Sequence, residues 1–295
     1  MIRFSKYMWL YFAISLLVLV PGTFSLIRFG LLPAVDFTGG TLLEVRFAKD
    51  VSQAELETQL ASKHIEAAGI QRAVGNDYII RFKPDVTEKM KNLETTLFAG
   101  MSQKSQIVRN ETVGPVLGEE LLQKTVTAAL FAIGAILLYV AYAFKNIKFG
   151  VSAIIALIHD LLVVLGVFSL LGVFYKIEVD TLFVTAFLTT MSFSVHDTIV
   201  VFDRIREMLK RGERLPFEML CDKALTETVG RSVANSLTII FMLLALFLMG
   251  GSTIRWFIFA LLIGTISGTY SSPFIATPML ILWDRWQKRK KSKTS

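Results

Sequence analysis

Residues 149–175 read FGVSAIIALIHDLLVVLGVFSLLGVFY, a stretch of 27 in which one His and one Asp interrupt an otherwise uncharged run. A helix needs about 20 apolar residues to cross roughly 30 Å of hydrocarbon, so this run is long enough to span a bilayer. Working outward, the same property recurs before residue 29 and at 124–144, 181–202, 228–250 and 255–283. The chain has 295 residues, 53% apolar and 19% charged, with a mean hydropathy of +0.56. That balance excludes a disordered chain, a collagen-like chain and an ordinary cytosolic enzyme. One cysteine, Cys221, excludes an internal disulfide framework or a Cys-rich metal site. The fold class is an α-helical polytopic membrane protein of six spans.

The pattern divides the chain into a tail with a first span (1–29), a large loop domain (30–123), a five-helix membrane domain (124–283) and a basic tail (284–295). Between the fourth and fifth spans lies a charged loop, 203–227. The first run follows Arg3 and Lys6 as a signal peptide would. It exceeds the length of a signal h-region and lacks a small-x-small cleavage site, so a retained anchor is expected.

Lys and Arg orient the spans. The N-terminal tail, the 145–148 turn, the loop from Arg204 to Lys223 and the tail from Arg285 to Lys293 hold 2, 2, 6 and 6 of them. The short loops of the opposite side hold only Lys176 and Arg255. Both termini are therefore expected in the cytoplasm, and the 30–123 domain outside. The positive excess faces anionic lipid, which argues against nucleic acid as a partner.

In the outside domain, 41–47 alternates Leu43, Val45 and Phe47 against Leu42, Glu44 and Arg46, the period of a half-buried strand. Ser52 and Glu55 form a capping box ahead of a helix reaching about Lys63. Strands are expected at 69–74, 77–83 and 105–112, with Gly75-Asn76 as a hairpin turn and a second helix at about 85–98. The order β-α-β-β-α-β is that of a split, ferredoxin-like α+β domain. One face of such a sheet is covered by helices, and the other is expected to serve as a binding surface. It carries no metal-ligand cluster, and no metal or cofactor is expected.

Ionisable residues inside the membrane cost about 2.5–3.5 kcal/mol at its centre on insertion scales, so each invites a functional reading. His159 and Asp160 lie in the third span, His196 and Asp197 in the fourth. Counting 1.5 Å per residue from Lys148 and from Asp203 puts Asp160 roughly 18 Å deep and Asp197 roughly 9 Å deep. Neighbouring side chains diverge by about 100° on a helix, so only one of each pair need point inward. Glu227, Arg231, Asn235 and Thr238 form one polar stripe on the fifth span. A carboxylate facing that stripe would make a proton site, because protonation removes its charge and lets the helices repack. The plainer readings are that Asp160 hydrogen-bonds a neighbouring helix, that Asp197 is structural, and that Arg231 snorkels or pairs with Glu227. Gly264 and Gly268 make a GxxxG match of the kind that packs helices.

Four segments together carry a resemblance. They are Asp36-Phe37-Thr38-Gly39-Gly40; Val113-Gly114-Pro115 with Gly118, Glu120 and Leu121; Ser194 through Asp197 to Asp203-Arg204, with Arg206 and Glu207; and Arg231 through Asn235-Ser236-Leu237-Thr238. In this order, on six spans with one large outside domain, they resemble the SecD/SecF family of protein-export membrane proteins. The resemblance implies half of an RND-type transporter, an obligate SecD partner, and promotion of preprotein export by the proton-motive force after the SecYEG–SecA step. It implies a bacterial cytoplasmic membrane, with YajC and YidC as further partners beside lipid, protons and the preprotein. By the family's pattern Asp197 and Arg231 are proton-path residues; Asp160 and His196, as ionisable residues inside the spans, are further candidates from the sequence itself. Two positions depart from that pattern: His196 stands where Asn is usual, and Ser232 where Thr is usual.

The leading expectation is thus a non-enzymatic, proton-driven subunit of the export machinery. A small-molecule exporter of the RND class would need twelve spans and two outside domains, twice what this chain has. A passive scaffold would use the buried charges only for packing. An intramembrane aspartyl protease would carry Gly-x-Gly-Asp, whereas Phe193-Ser-Val-His precedes Asp197.

Overall fold

The computed structural model describes residues 3–72, 75–84, 105–144 and 146–294. The chain forms two compact units. One comprises Met1–Leu31, Ala129–Ile177 and Leu182–Ser295; the other comprises Leu32–Ala128 and Glu178–Thr181.

The first unit is helical. Its elements are α1 (Met8–Phe29), most of α3 (Pro115–Ala143), α4 (Ile147–Tyr175), α5 (Thr181–Lys210), α6 (Phe217–Met249), α7 (Ser252–Ser271) and α8 (Thr277–Thr294). Six helical segments among the described residues are long and apolar enough to cross a membrane. Helical hydrogen bonding outlasts the apolar runs: α5 continues to Lys210 and α6 begins at Phe217, so most of 203–227 is helix. Arg206 with Asp203 (3.0 Å), and Arg204 and Arg211 with Glu207 (2.6 and 2.5 Å), make i,i+3 and i,i+4 pairs along the extension of α5.

The sixth span is not one regular helix. Ser272–Ala276 between α7 and α8 is a turn of π-helix containing Pro273. Proline has no N–H to give to the carbonyl four residues back, and a π turn is one way a helix absorbs that loss.

Small residues set the packing of α1 on α4. A Cβ added to Gly166 would lie 2.7 Å from Gly22 Cα, a distance no side chain tolerates. Either side of that contact, Ser15 Oγ lies 2.9 Å from His159 Nε2 and Ser25 Oγ 2.8 Å from Ser169 Oγ. Close backbone approach with hydroxyls bonded across the interface is how helices associate where lipid removes the hydrophobic drive. Gly264 and Gly268 serve α7 in the same way, since a Cβ at either would run into Thr190 or Ser194 of α5.

The second unit holds β1 (Gly40–Phe47), α2 (Gln53–Ser62), β2 (Ala67–Arg72), β3 (Asp77–Phe82) and β4 (Ser105–Val113). Ser52 caps α2 by accepting from the Glu55 N–H at 3.2 Å. The strands make an antiparallel sheet in the order β2-β3-β1-β4, which the β-α-β-β-α-β pattern requires. The second helix of that pattern, at 85–98, lies outside the described residues.

Leu43, Val45 and Phe47 of β1 pack with Ile80, Phe82, Leu56 and Leu60 to form the core. The opposite face carries charged pairs. Arg46 makes a two-pronged pair with Asp77 (2.7 and 2.8 Å), and Arg109 makes one with Glu111 (2.6 and 2.7 Å).

Candidate functional site

Both residues of the His159-Asp160 pair point inward, at 6% and 5% exposure, although alternation around the helix required only one to do so. Other helices pack on α4 from more than one side, so its buried arc is wide. Asp160 Oδ2 accepts from Ser194 Oγ at 2.5 Å and Ser271 Oγ at 2.6 Å. Its Oδ1 accepts from Ser267 Oγ at 2.6 Å, with His159 Nδ1 at 3.0 Å. A carboxylate offers about four acceptor positions, and each is used. His159 carries the network on to Ser15 of α1. Asp160 thus ties α1, α4, α5 and α7 together, and a buried charge satisfied this fully is held in place. Hydropathy patterning marks Asp160 but not Ser15, Ser267 or Ser271. The i,i+4 spacing of the last two was the available signal.

Asp197 is placed differently. It is half-buried on α5, facing Ser232 and Ser236 of α6, while His196 is exposed. Asp197 and His196 line a cavity of about 20 Å³ with Asn235, Ser236, Thr265 and Thr269. That is room for a single water among polar partners. Depth counting from the sequence separated Asp160 and Asp197 by roughly 9 Å. The structure narrows this, because Asp160 bonds Ser194, which is only three residues, roughly 4.5 Å of rise, from Asp197. The discrepancy arises because α5 extends past Asp203, so Asp203 does not mark the end of the helix.

Arg231 does not meet Asp197. It is exposed and lines a separate cleft with Asp203, Arg204, Glu207 and Lys210. Nor does it pair with Glu227, whose carboxylate is taken by the Arg204 guanidinium from α5. Of the polar stripe on α6, Asn235 reaches the Asp197 cavity and Thr238 turns back to the Ala234 carbonyl at 3.0 Å.

The two glycine-bearing signatures pack on each other in the second unit. Gly39 and Gly40 have φ of +73° and +124°, conformations that disfavour any side chain. A Cβ on Gly39 would lie 2.7 Å from Pro115 Cα, and one on Gly118 would lie 2.8 Å from Gly39 N. A Cβ on Gly114 would meet nothing within 4 Å. Asp36 accepts from the N–H and hydroxyl of Thr181 at 3.2 and 3.0 Å, capping the first residue of α5 from outside the helix. Beside it, Glu178 is paired with Arg81 of β3 at 2.6 Å, and both are 14% exposed. Burial lifts the Glu178 carboxyl above its ordinary value, and Asp180 and Asp36 add to this, against the opposing pull of Arg81. No local sequence signal announced that pair.

This conjunction of glycine signatures, an intramembrane carboxylate and six spans has relatives. Residues 93–286 match the family described as protein export membrane protein SecD/SecF, C-terminal, and residues 24–51 match the SecD/SecF GG motif. The chain belongs to the SecD/SecF family. It is 40% identical to protein translocase subunit SecF of Thermobaculum terrenum, over 96% of this chain and 94% of that one. It is 38% identical to the SecF subunit of Anaerolinea thermophila, over 95% of each. The crystal structure of SecDF, a translocon-associated membrane protein from Thermus thermophilus, superposes with a TM-score of 0.86 at 35% identity. That match covers 96% of this chain and 39% of the SecDF chain. The chain is accordingly a multi-pass membrane subunit of the Sec protein-export machinery.

Proposed function

We propose that this SecD/SecF-family subunit pairs with SecD and uses the proton-motive force to promote preprotein translocation across the bacterial cytoplasmic membrane, after the SecYEG–SecA step. The Thermus relative joins SecD and SecF in one chain, which supports SecD as the partner of this one. SecYEG, YajC and YidC are the further partners on this reading. The 16 Lys and Arg residues on one side of the spans support cytoplasmic termini and an outside location for the 30–123 domain. The chain makes and breaks no bond of its own.

The observation that carries the proton reading is the contrast between the two carboxylates. Asp160 has its acceptor positions filled and fastens four helices. Asp197 sits half-buried beside a water-sized polar cavity, where gaining or losing a proton changes what it bonds. We assign Asp197 as the proton acceptor, with His196 and Asn235 lining its cavity. Arg231 is the charge one turn away along the α5–α6 groove, and Asp160 with His159 forms the fixed anchor. One proton crossing the membrane potential releases about 2.3 kcal/mol per 100 mV, enough to bias a two-state repacking.

The test is proton entry into proteoliposomes containing the chain with SecD under an imposed potential. Entry that depends on Asp197 and survives Lys6→Gln supports the assignment. Entry unchanged in Asp197→Asn removes it and leaves the passive-scaffold reading, in which every buried charge only packs helices.

A further inference from the structure

The charged cleft beside Arg231 is larger than the proton reading requires. It has a volume of about 570 Å³ and is lined by Arg204, Arg206, Lys210, Arg231, Asp203 and Glu207, with Val200 and Thr228 at its sides. Its acids are already engaged. Asp203 holds Arg206 at 3.0 Å, and Glu207 holds Arg204 at 2.6 Å and Arg211 at 2.5 Å. Arg204 is further committed to Glu227. What remains are two exposed cations from two different helices, Lys210 of α5 and Arg231 of α6. Neither has a hydrogen bond or ion pair among the described residues.

We propose that this cleft binds the phosphate oxyanion of an anionic phospholipid headgroup between Lys210 and Arg231. Three features point to that chemistry. The cleft lies where the apolar runs of α5 and α6 give way to charge, which is the level of headgroups. Its volume suits a group of many atoms rather than a simple ion. A guanidinium fork and an ammonium contributed to one cleft by two different helices offer donors to the several oxygens of a phosphate. Basic pockets between membrane helices take lipid phosphate in this way.

The experiment is native mass spectrometry of the chain purified together with SecD, titrated with phosphatidylglycerol and with phosphatidylcholine. The variants are Lys210→Gln and, as an equal loss of charge elsewhere, Lys6→Gln. Both residues are exposed and neither makes an ion pair among the described residues, so both variants are expected to fold. The wild type is expected to retain phosphatidylglycerol in preference to phosphatidylcholine, with retention weakened about fivefold by Lys210→Gln and unchanged by Lys6→Gln. A further arm adds millimolar inorganic phosphate. Displacement shows that free phosphate occupies the same oxyanion site, and persistence shows that the acyl chains help to hold the lipid; either result keeps the site. Equal weakening in both variants would reduce the effect to diffuse surface charge and overturn the proposal. So would the absence of any lipid preference, the result expected if SecD itself fills the cleft.

Discussion

Asp160 and Asp197 are the same residue type on adjacent helices, yet their surroundings assign them opposite roles. Three serine hydroxyls and His159 converge on Asp160. Removing its charge while keeping its size leaves those donors competing for one oxygen. Asp160→Asn is therefore expected to cost about 3 kcal/mol, the scale of leaving buried hydrogen-bond donors without an acceptor. Asp197→Asn, with a half-solvated site, is expected to cost about 1 kcal/mol or less. Thermal unfolding of the two purified variants side by side checks this, and equal losses would contradict it. The sequence singled out both Asp residues because charge inside an apolar run is conspicuous. It did not show which was satisfied, because the partners of Asp160 lie 34, 107 and 111 residues away and are ordinary serines.

At the scale of elements, glycine decides how closely helices approach. Gly22 and Gly166 let α1 and α4 touch through their backbones, and Ser25 and Ser169 then bond across the seam. Cysteines introduced at positions 25 and 169 are expected to cross-link readily in an otherwise wild-type chain. Adding Gly166→Val should abolish the cross-link, since its side chain must push the helices apart. Persistent cross-linking would show that the seam does not depend on that contact. A parallel argument applies to Gly39, where φ is +73° and Pro115 stands behind it. Gly39→Ala should destabilise the second unit by about 1–3 kcal/mol from the backbone conformation alone, since φ +73° with ψ 167° is a region nearly restricted to glycine, read as faster trypsin cleavage in the β4 strand.

The spans, the capping box at Ser52 and the strand order were legible because each rests on local periodicity or on a short motif. The matched spacing of Ser15, Gly22 and Ser25 with His159, Gly166 and Ser169 was equally present in the sequence. It becomes meaningful only once α1 and α4 are known to be neighbours. The π turn at Ser272–Ala276 had Pro273 as its signal, whereas the extension of α5 to Lys210 depends on surface ion pairs that hydropathy does not register.

At the scale of the molecule, two charged devices respond to acidity in different ways. In the second unit, Glu178 binds its proton more tightly than an ordinary glutamate. A group whose folded value is raised contributes stability that is complete below its unfolded value and is lost as pH rises through the folded one. The melting temperature is therefore expected to fall as pH rises above about 4.5, and Glu178→Gln should flatten that fall. An unchanged slope would mean that Arg81 compensates fully for burial.

The membrane unit poses the functional question. The account requires that Asp197 do work while Asp160 only holds the bundle together. The direct measurement is preprotein export in cells whose sole copy of this chain carries Asp197→Asn, with co-purification of SecD followed in the same cells. Slowed export with the SecD complex intact is the predicted result. Normal export with an intact complex would contradict the account and leave Asp197 as one more packing residue.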